Sequence, residues 1–180
     1  MQRQRKAVFL DRDGVLNKTI VRNGKPYPPS SLEEVDIPDE VEGALTKLSD
    51  AGFVLIGITN QPDVARGTQK REIVESINNV LLSKLAISEI KVCYHDDKDL
   101  CKCRKPKPGL LLQAAREYQI DLASSFMIGD RWKDIEAGRR AGCVSIWIDH
   151  GYAEQTPNLQ NAHRVQSLRD AVEIILQSHT

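Results

Sequence analysis

The chain has 180 residues, 41% of them hydrophobic and 28% charged, with Lys+Arg and Asp+Glu equal at 25 each and a formal net charge of zero. A chain of this length is one domain's worth, buries about two-thirds of the surface its unfolded form exposes, and needs no disulfide scaffold. Its ordinary composition excludes collagen-like, coiled-coil and largely disordered classes, and the balanced charge argues against a nucleic-acid partner.

The basic opening Met1-Gln2-Arg3-Gln4-Arg5-Lys6 leads into only Ala7-Val8-Phe9-Leu10 before Asp11, too short for a secretory h-region. No apolar run approaches a membrane span, so a single cytoplasmic domain over 1–180, monomeric and away from membranes, is expected. Ala7 to Leu10 reads as a strand that ends abruptly in charge. From Val15 to Pro29 the chain offers two readings, a flap hairpin turning at Asn23-Gly24 or a Pro-rich surface loop. Val41, Ala44, Leu45 and Leu48 repeat at helical spacing and stop at Ala51-Gly52. Phe53 to Ile58 is an unbroken apolar strand, followed by a helical stripe of Ile73, Ile77, Val80, Leu81 and Leu85. Ile90 to Cys93 is a strand; Pro108 opens a helix carrying Leu111, Leu112, Ala115 and Tyr118. Phe126 to Ile128 and Val144 to Ile148 are strands, with a helix from Asp134 to Ala141 between them and a last helix from Leu168 to Leu176. This alternation predicts an α/β fold: a doubly wound parallel sheet with helices on both faces.

In such a sheet, ligands bind outside the carboxyl ends of the strands. There the sequence places Asp11-Arg12-Asp13-Gly14, Thr59-Asn60-Gln61 and Gly129-Asp130-Arg131, with Asp134 one helical turn on. Asp11 and Asp13 share a face if the chain stays extended, and their mutual repulsion calls for a cation or a shared proton. With a third oxygen from Asp130 the set suits octahedral Mg²⁺. Asp11 could then attack phosphorus, and Asp13 could protonate the leaving oxygen and later deprotonate water. Taken singly, Asp130 and Asp134 also read as a helix cap and first-turn acid, and Thr59-Asn60 as a turn; three strand ends bearing such groups together favour a site.

Cys93, His95, Cys101 and Cys103 form C-x-H-x5-C-x-C, three thiolates and an imidazole that close a tetrahedral structural Zn²⁺ site over 93–103. Surface cysteines or a labile disulfide are the bland alternative, and Cys143 reads as core. Arg104 and Lys105 follow the last ligand, so an ordered loop would aim them, Lys105 at a phosphoryl oxygen and Arg104 at a second anionic or polyhydroxy group. A solvated basic loop is the alternative there.

Phe9-Leu10-Asp11-Arg12-Asp13-Gly14-Val15, Thr59-Asn60-Gln61, Cys101-Lys102-Cys103-Arg104-Lys105-Pro106-Lys107-Pro108-Gly109 and Ile128-Gly129-Asp130 resemble the haloacid dehalogenase superfamily of phosphatases. More narrowly they look like its D,D-heptose 1,7-bisphosphate and histidinol-phosphate phosphatases. The resemblance covers about residues 7–150 and implies a capless core. It implies Asp11 as nucleophile, Asp13 as general acid/base, and Thr59 and Lys105 as phosphoryl holders. Asn60, Gln61, Arg104 and Arg131 would contact substrate. Mg²⁺ would be held by Asp11, Asp130 and the carbonyl of Asp13, and zinc would be structural. The implied partner is a small phosphorylated sugar, with histidinol phosphate, or a non-catalytic zinc-stabilised binding module, as rivals. Arg131 stands where a Lys is frequent, and Pro62-Asp63 where Ser-Gly is frequent; both positions bear on the sugar.

Overall fold

The computed structural model describes residues 4–178. In chain order the elements are β1 (Ala7–Leu10), β2 (Ile20–Arg22), β3 (Lys25–Tyr27), α1 (Asp39–Asp50), β4 (Val54–Asn60), α2 (Arg71–Lys84) and β5 (Glu89–Cys93). They continue with α3 (Gly109–Tyr118), β6 (Phe126–Gly129), α4 (Trp132–Ala141), β7 (Val144–Ile148), β8 (Ala162–Val165) and α5 (Leu168–Gln177). Six strands form one parallel sheet in the order β5-β4-β1-β6-β7-β8. The chain leaves β1 for β4 and β5, then crosses back to β6 on β1's other side. That reversal is the topological switch point, where such sheets open a crevice.

All four residues of β1 are fully buried. Val8 and Leu10 pack into one core with Leu45 of α1, Ile77 and Leu81 of α2 and Val172 of α5. Ala7 and Phe9 face the other core, with Leu111 and Ala114 of α3 and Ala137 of α4. A strand covered on both sides carries no polar residue, which is why it reads as an unbroken apolar run. Burying each such side chain stabilises the fold by about 1.5–3 kcal/mol.

The doubly wound fold expected from the sequence is the one observed, with local differences. The hairpin reading of 15–29 holds, but the paired strands span only 20–27. Asn23 and Gly24 both have positive φ, as a type I′ turn requires. β4 runs on through Thr59 and Asn60, so these belong to a strand end rather than a turn. The buried face of α2 is Val74, Ile77, Asn78 and Leu81; Val80 is only partly buried. Pro108 stands one place before α3 rather than in its first turn, and α4 begins at Trp132, two residues before Asp134. β8, unforeseen, is an edge strand whose His163 and Arg164 are exposed; only Val165 is buried. So polar a segment gives little apolar signal.

Candidate active site

The three strand ends meet. The Asp11 N–H donates to Ile128 O at 2.9 Å, which carries the pairing of β1 with β6 one residue beyond the strand and fixes the Asp11 backbone. Asp11, Thr59, Lys105, Asp130 and Asp134 are all buried beneath a cleft of about 310 Å³.

Lys105 reaches this point from the loop between β5 and α3. Its ammonium donates to Asp11 Oδ1 (2.7 Å) and Ile58 O (2.7 Å) and pairs with Asp134 Oδ1 (2.6 Å), which uses all three of its N–H groups. Burial opposes its charge, but Asp11 and Asp134 outweigh that and raise its pKa above the ordinary lysine value. Asn60 holds the Lys105 backbone from both sides, its amide donating to the carbonyl (3.0 Å) and accepting from the N–H (3.1 Å). Burial, then Asp134, push the Asp11 carboxyl up to about 6 against the pull of Lys105. Asp130 lies well above the ordinary carboxylate range, first from burial and then from Asp11 and Asp134.

Asp13 lines the cleft beside Asp11. Its Oδ1 accepts from Arg12 Nε (3.1 Å) and Asn17 Nδ2 (3.0 Å), and its Oδ2 from Gln61 Nε2 (2.8 Å). Gln61 Nε2 also donates to Thr59 Oγ1 at 2.9 Å. Gln61, expected to contact substrate, is 2% exposed, and its amide N–H groups hold Asp13 and Thr59. Asn60 does line the cleft, but its amide is committed to Lys105. Arg12, fully buried, spans from Asp13 to Asn78 Oδ1 of α2 (3.0 Å).

Two glycines make room. A β-carbon on Gly14 would lie 1.9 Å from Asp130 Oδ2, and φ there is +92°; one on Gly129 would lie 2.1 Å from the Asp134 β-carbon. The carboxylates thus pack against bare backbone.

The segment after β7 closes over this floor. His150 Nε2 meets Gly14 O (2.8 Å), Tyr152 Oη donates to Asp130 Oδ2 (2.9 Å), and Ala153 N–H donates to Gly24 O in the hairpin turn (2.8 Å). Glu154 accepts twice from Arg131, at 2.8 and 2.5 Å. Arg131 is thus clamped at the cleft wall.

Asp11, Asp130 and Asp134 each bring a carboxylate oxygen within 4.8 Å of the others. Asp130 Oδ1 is buried with no hydrogen-bond partner. An orphaned carboxylate oxygen among converging acids fits a hard divalent cation. Asp134, grouped in the sequence with the third strand end and also legible as a first-turn acid, pairs through Oδ1 with Lys105 while its Oδ2 accepts the Arg131 N–H (3.0 Å) at the start of α4, so it serves both the helix and the site.

Cys93, His95, Cys101 and Cys103 also gather, with all ligand atoms within 4.8 Å of one another. Cys93 Sγ lies 3.6 Å from His95 Nδ1, 3.7 Å from Cys101 Sγ and 3.1 Å from Cys103 Sγ, and His95 Nδ1 lies 3.2 Å from Cys103 Sγ. All four cysteines are unbridged. The donor set, three sulfurs and one nitrogen, suits zinc. Although burial opposes it, N–H donation from the Arg104 backbone and the neighbouring thiols bring the Cys101 thiol down to about 7. Cys143 is buried core, its thiol pushed up to about 12 by burial.

Arg104 leaves this loop toward the cleft. Its Nε donates to Asp97 Oδ1 (2.8 Å), while one terminal nitrogen is buried without a partner.

Arg12, Tyr152 and Glu154 were not singled out in the sequence. For Tyr152 and Glu154 a signal was available, since they follow the end of β7, a fourth strand pointing at the same edge. Arg12 lay between two aspartates that drew attention as a pair.

A HAD-hydrolase-like family model matches residues 102–171. The chain is 33% identical to D-glycero-alpha-D-manno-heptose-1,7-bisphosphate 7-phosphatase of Photorhabdus laumondii, over 93% of this chain and 97% of that one. It is 39% identical to the beta-heptose enzyme of Helicobacter pylori, over 76% and 78%. The crystal structure of the D,D-heptose 1,7-bisphosphate phosphatase of B. bronchiseptica with magnesium and phosphate superposes with a TM-score of 0.82 at 27% identity, covering 96% of this chain and 99% of that one. Sequence similarity, shared sheet and strand-end motifs agree: the chain belongs to the HAD-like family of D-glycero-D-manno-heptose-1,7-bisphosphate 7-phosphatases.

Proposed function

We propose that this chain is a Mg²⁺-dependent phosphomonoesterase that removes the 7-phosphate of a D-glycero-D-manno-heptose 1,7-bisphosphate through an aspartyl-phosphate on Asp11, a step toward nucleotide-heptose precursors of surface polysaccharide. The observation that carries this reading is the convergence of Asp11, Asp130, Asp134 and Lys105 at one strand edge. Asp11, Asp130 and the backbone carbonyl of Asp13 would hold Mg²⁺, which when bound offsets the repulsion between an anionic phosphate and an anionic nucleophile.

Lys105 already takes Asp11 Oδ1, leaving Oδ2 to attack phosphorus. As that bond forms, the bond from phosphorus to the sugar oxygen breaks, and Asp13 gives its proton to the departing oxygen. For this Asp13 exchanges one of its bonds to Asn17 or Gln61 for the substrate. Water then attacks the same phosphorus, Asp13 takes the water's proton, and Asp11 and inorganic phosphate are freed. Thr59 Oγ1, oriented by Gln61, holds one phosphoryl oxygen, and the Lys105 ammonium holds another by exchanging one of its three present bonds for it. Arg104, with one nitrogen unpartnered, and Arg131, steadied by Glu154, face the rest of the substrate. A structural zinc would fasten the loop that aims Arg104. Among the described residues no helix is long and apolar enough to cross a membrane.

Phosphate release measured on heptose 1,7-bisphosphate and on histidinol phosphate with one preparation tests the assignment. Heptose bisphosphate should give the larger kcat/KM, and Asp11→Asn should lower kcat at least about a thousandfold while leaving the fold intact. A wild-type protein inactive on a panel of sugar phosphates with Mg²⁺ would instead favour the binding-module reading.

A further inference from the structure

Asp130 has two chemically different oxygens. Oδ2 packs against the bare backbone of Gly14 and accepts a hydrogen bond from the Tyr152 hydroxyl at 2.9 Å. Oδ1 is buried with no partner. The Asp130 backbone is fixed as well, since the Trp147 indole N–H donates to its carbonyl at 3.0 Å. Tyr152 has one proton, and the carboxylate can only accept it, so the Thr19 hydroxyl 2.9 Å away must donate to Tyr152 Oη in turn. A relay from the foot of the hairpin, Thr19 to Tyr152 to Asp130, therefore occupies one carboxylate oxygen and leaves the other alone.

We infer that Tyr152 is a positioning residue that makes Asp130 a one-oxygen ligand and thereby tunes the site to magnesium over calcium. Magnesium takes six oxygens at short, near-octahedral distances, and a carboxylate serves it through one oxygen. Calcium accepts about six to eight ligands in a flexible geometry and readily takes both oxygens of a carboxylate. With Oδ2 held by a hydroxyl and pressed on Gly14, Asp130 cannot swing to present both. Residues that orient a metal ligand in this way change metal affinity about 10–100-fold when removed. The inference rests on Asp130 being a cation ligand in the proposed reaction, and it is read from binding alone.

The experiment is calorimetric titration of Mg²⁺ and, separately, Ca²⁺ into wild type, Tyr152→Phe and Thr19→Val without substrate. Trp147 fluorescence serves as a second readout beside the ligand. Tyr152→Phe, which removes only the hydroxyl, should weaken Mg²⁺ binding about tenfold or more and Ca²⁺ binding less, so that the Mg²⁺/Ca²⁺ affinity ratio falls. Thr19→Val should shift the ratio the same way by a smaller factor. A Tyr152→Phe protein that melts like wild type and keeps the ratio overturns the inference, as does an equal loss for both cations, the mark of a merely structural role. If Tyr152→Phe does not fold, Thr19→Val decides: an unchanged ratio overturns the inference, a lowered one supports it. Wild type that binds Mg²⁺ selectively yet releases no phosphate would sink the proposed reaction and leave Tyr152's part standing.

Discussion

Lys105 stands at 2% exposure between two carboxylates and a carbonyl, and no single neighbour could keep it there charged. Asp11 and Asp134 stabilise the ammonium, and the ammonium in turn offsets part of the repulsion between those two acids. Lys105→Met keeps the length of the side chain and removes the charge, so it leaves buried carboxylates uncompensated. Urea unfolding without added cation should show a loss of about 3–5 kcal/mol. A loss under about 1 kcal/mol would mean that solvent screens the cluster, contrary to its burial. Among individual residues, legibility followed chain distance. Asp11, Asp13 and Asp130 stood out because each lies within three residues of the end of an apolar run. The bonds of Gln61 to Asp13 and Thr59 were not legible, because strand pairing brings Asp13 to it across 48 residues of chain. Tyr152 and Asp130 lie 22 residues apart with a helix and a strand between them, and local pattern carries no trace of that hydrogen bond.

The loop from β5 to α3 shows how a segment with little apolar content acquires a shape. Asp96, Asp97, Lys98 and Asp99 cannot order it by burial, and Leu100 at its tip is 80% exposed. What gathers it is the thiol–imidazole cluster at its two ends and the Arg104–Asp97 pair. If zinc fastens that cluster, losing one ligand should loosen Arg104 more than Lys105, whose backbone is held independently by Asn60. Cys101→Ser should therefore lower bound zinc below one per chain, reduce the melting temperature, and raise KM for the sugar bisphosphate more than it lowers kcat. Metal analysis with steady-state kinetics checks this; equal zinc content and an unaltered KM would detach the loop from substrate recognition. The elements that the sequence disclosed best were those covered on both faces, β1, β4 and β7, where an apolar run has no competing reading. Edge strand β8 was missed for the opposite reason: His163 and Arg164 lie in solvent, and backbone pairing to β7 rather than side-chain burial makes it a strand.

Among the described residues no separate domain covers the cleft, and three remote pieces stand around it: the hairpin of β2 and β3, the segment 150–154 after β7, and the cysteine loop. The first two are joined by the Ala153 N–H bond to Gly24 O and by Tyr152 with Thr19, so they form one wall. That wall reaches the carboxylate floor through Tyr152 on Asp130; in the proposed reaction the rest of it would confine the part of the substrate beyond the phosphate. Gly24→Val tests the division of labour. The turn has φ +74° at Gly24, and a β-carbon there would come within 2.9 Å of the Ala153 β-carbon, so the seam must shift at Ala153. For a compact aryl phosphate, which needs only the floor, kcat/KM should stay within about twofold of wild type. For the sugar bisphosphate it should fall about tenfold, because loose positioning of the far end is what a widened cleft permits. Equal losses on both substrates would show that the wall shapes the floor itself, and the separation between phosphoryl chemistry and substrate confinement would have to be abandoned.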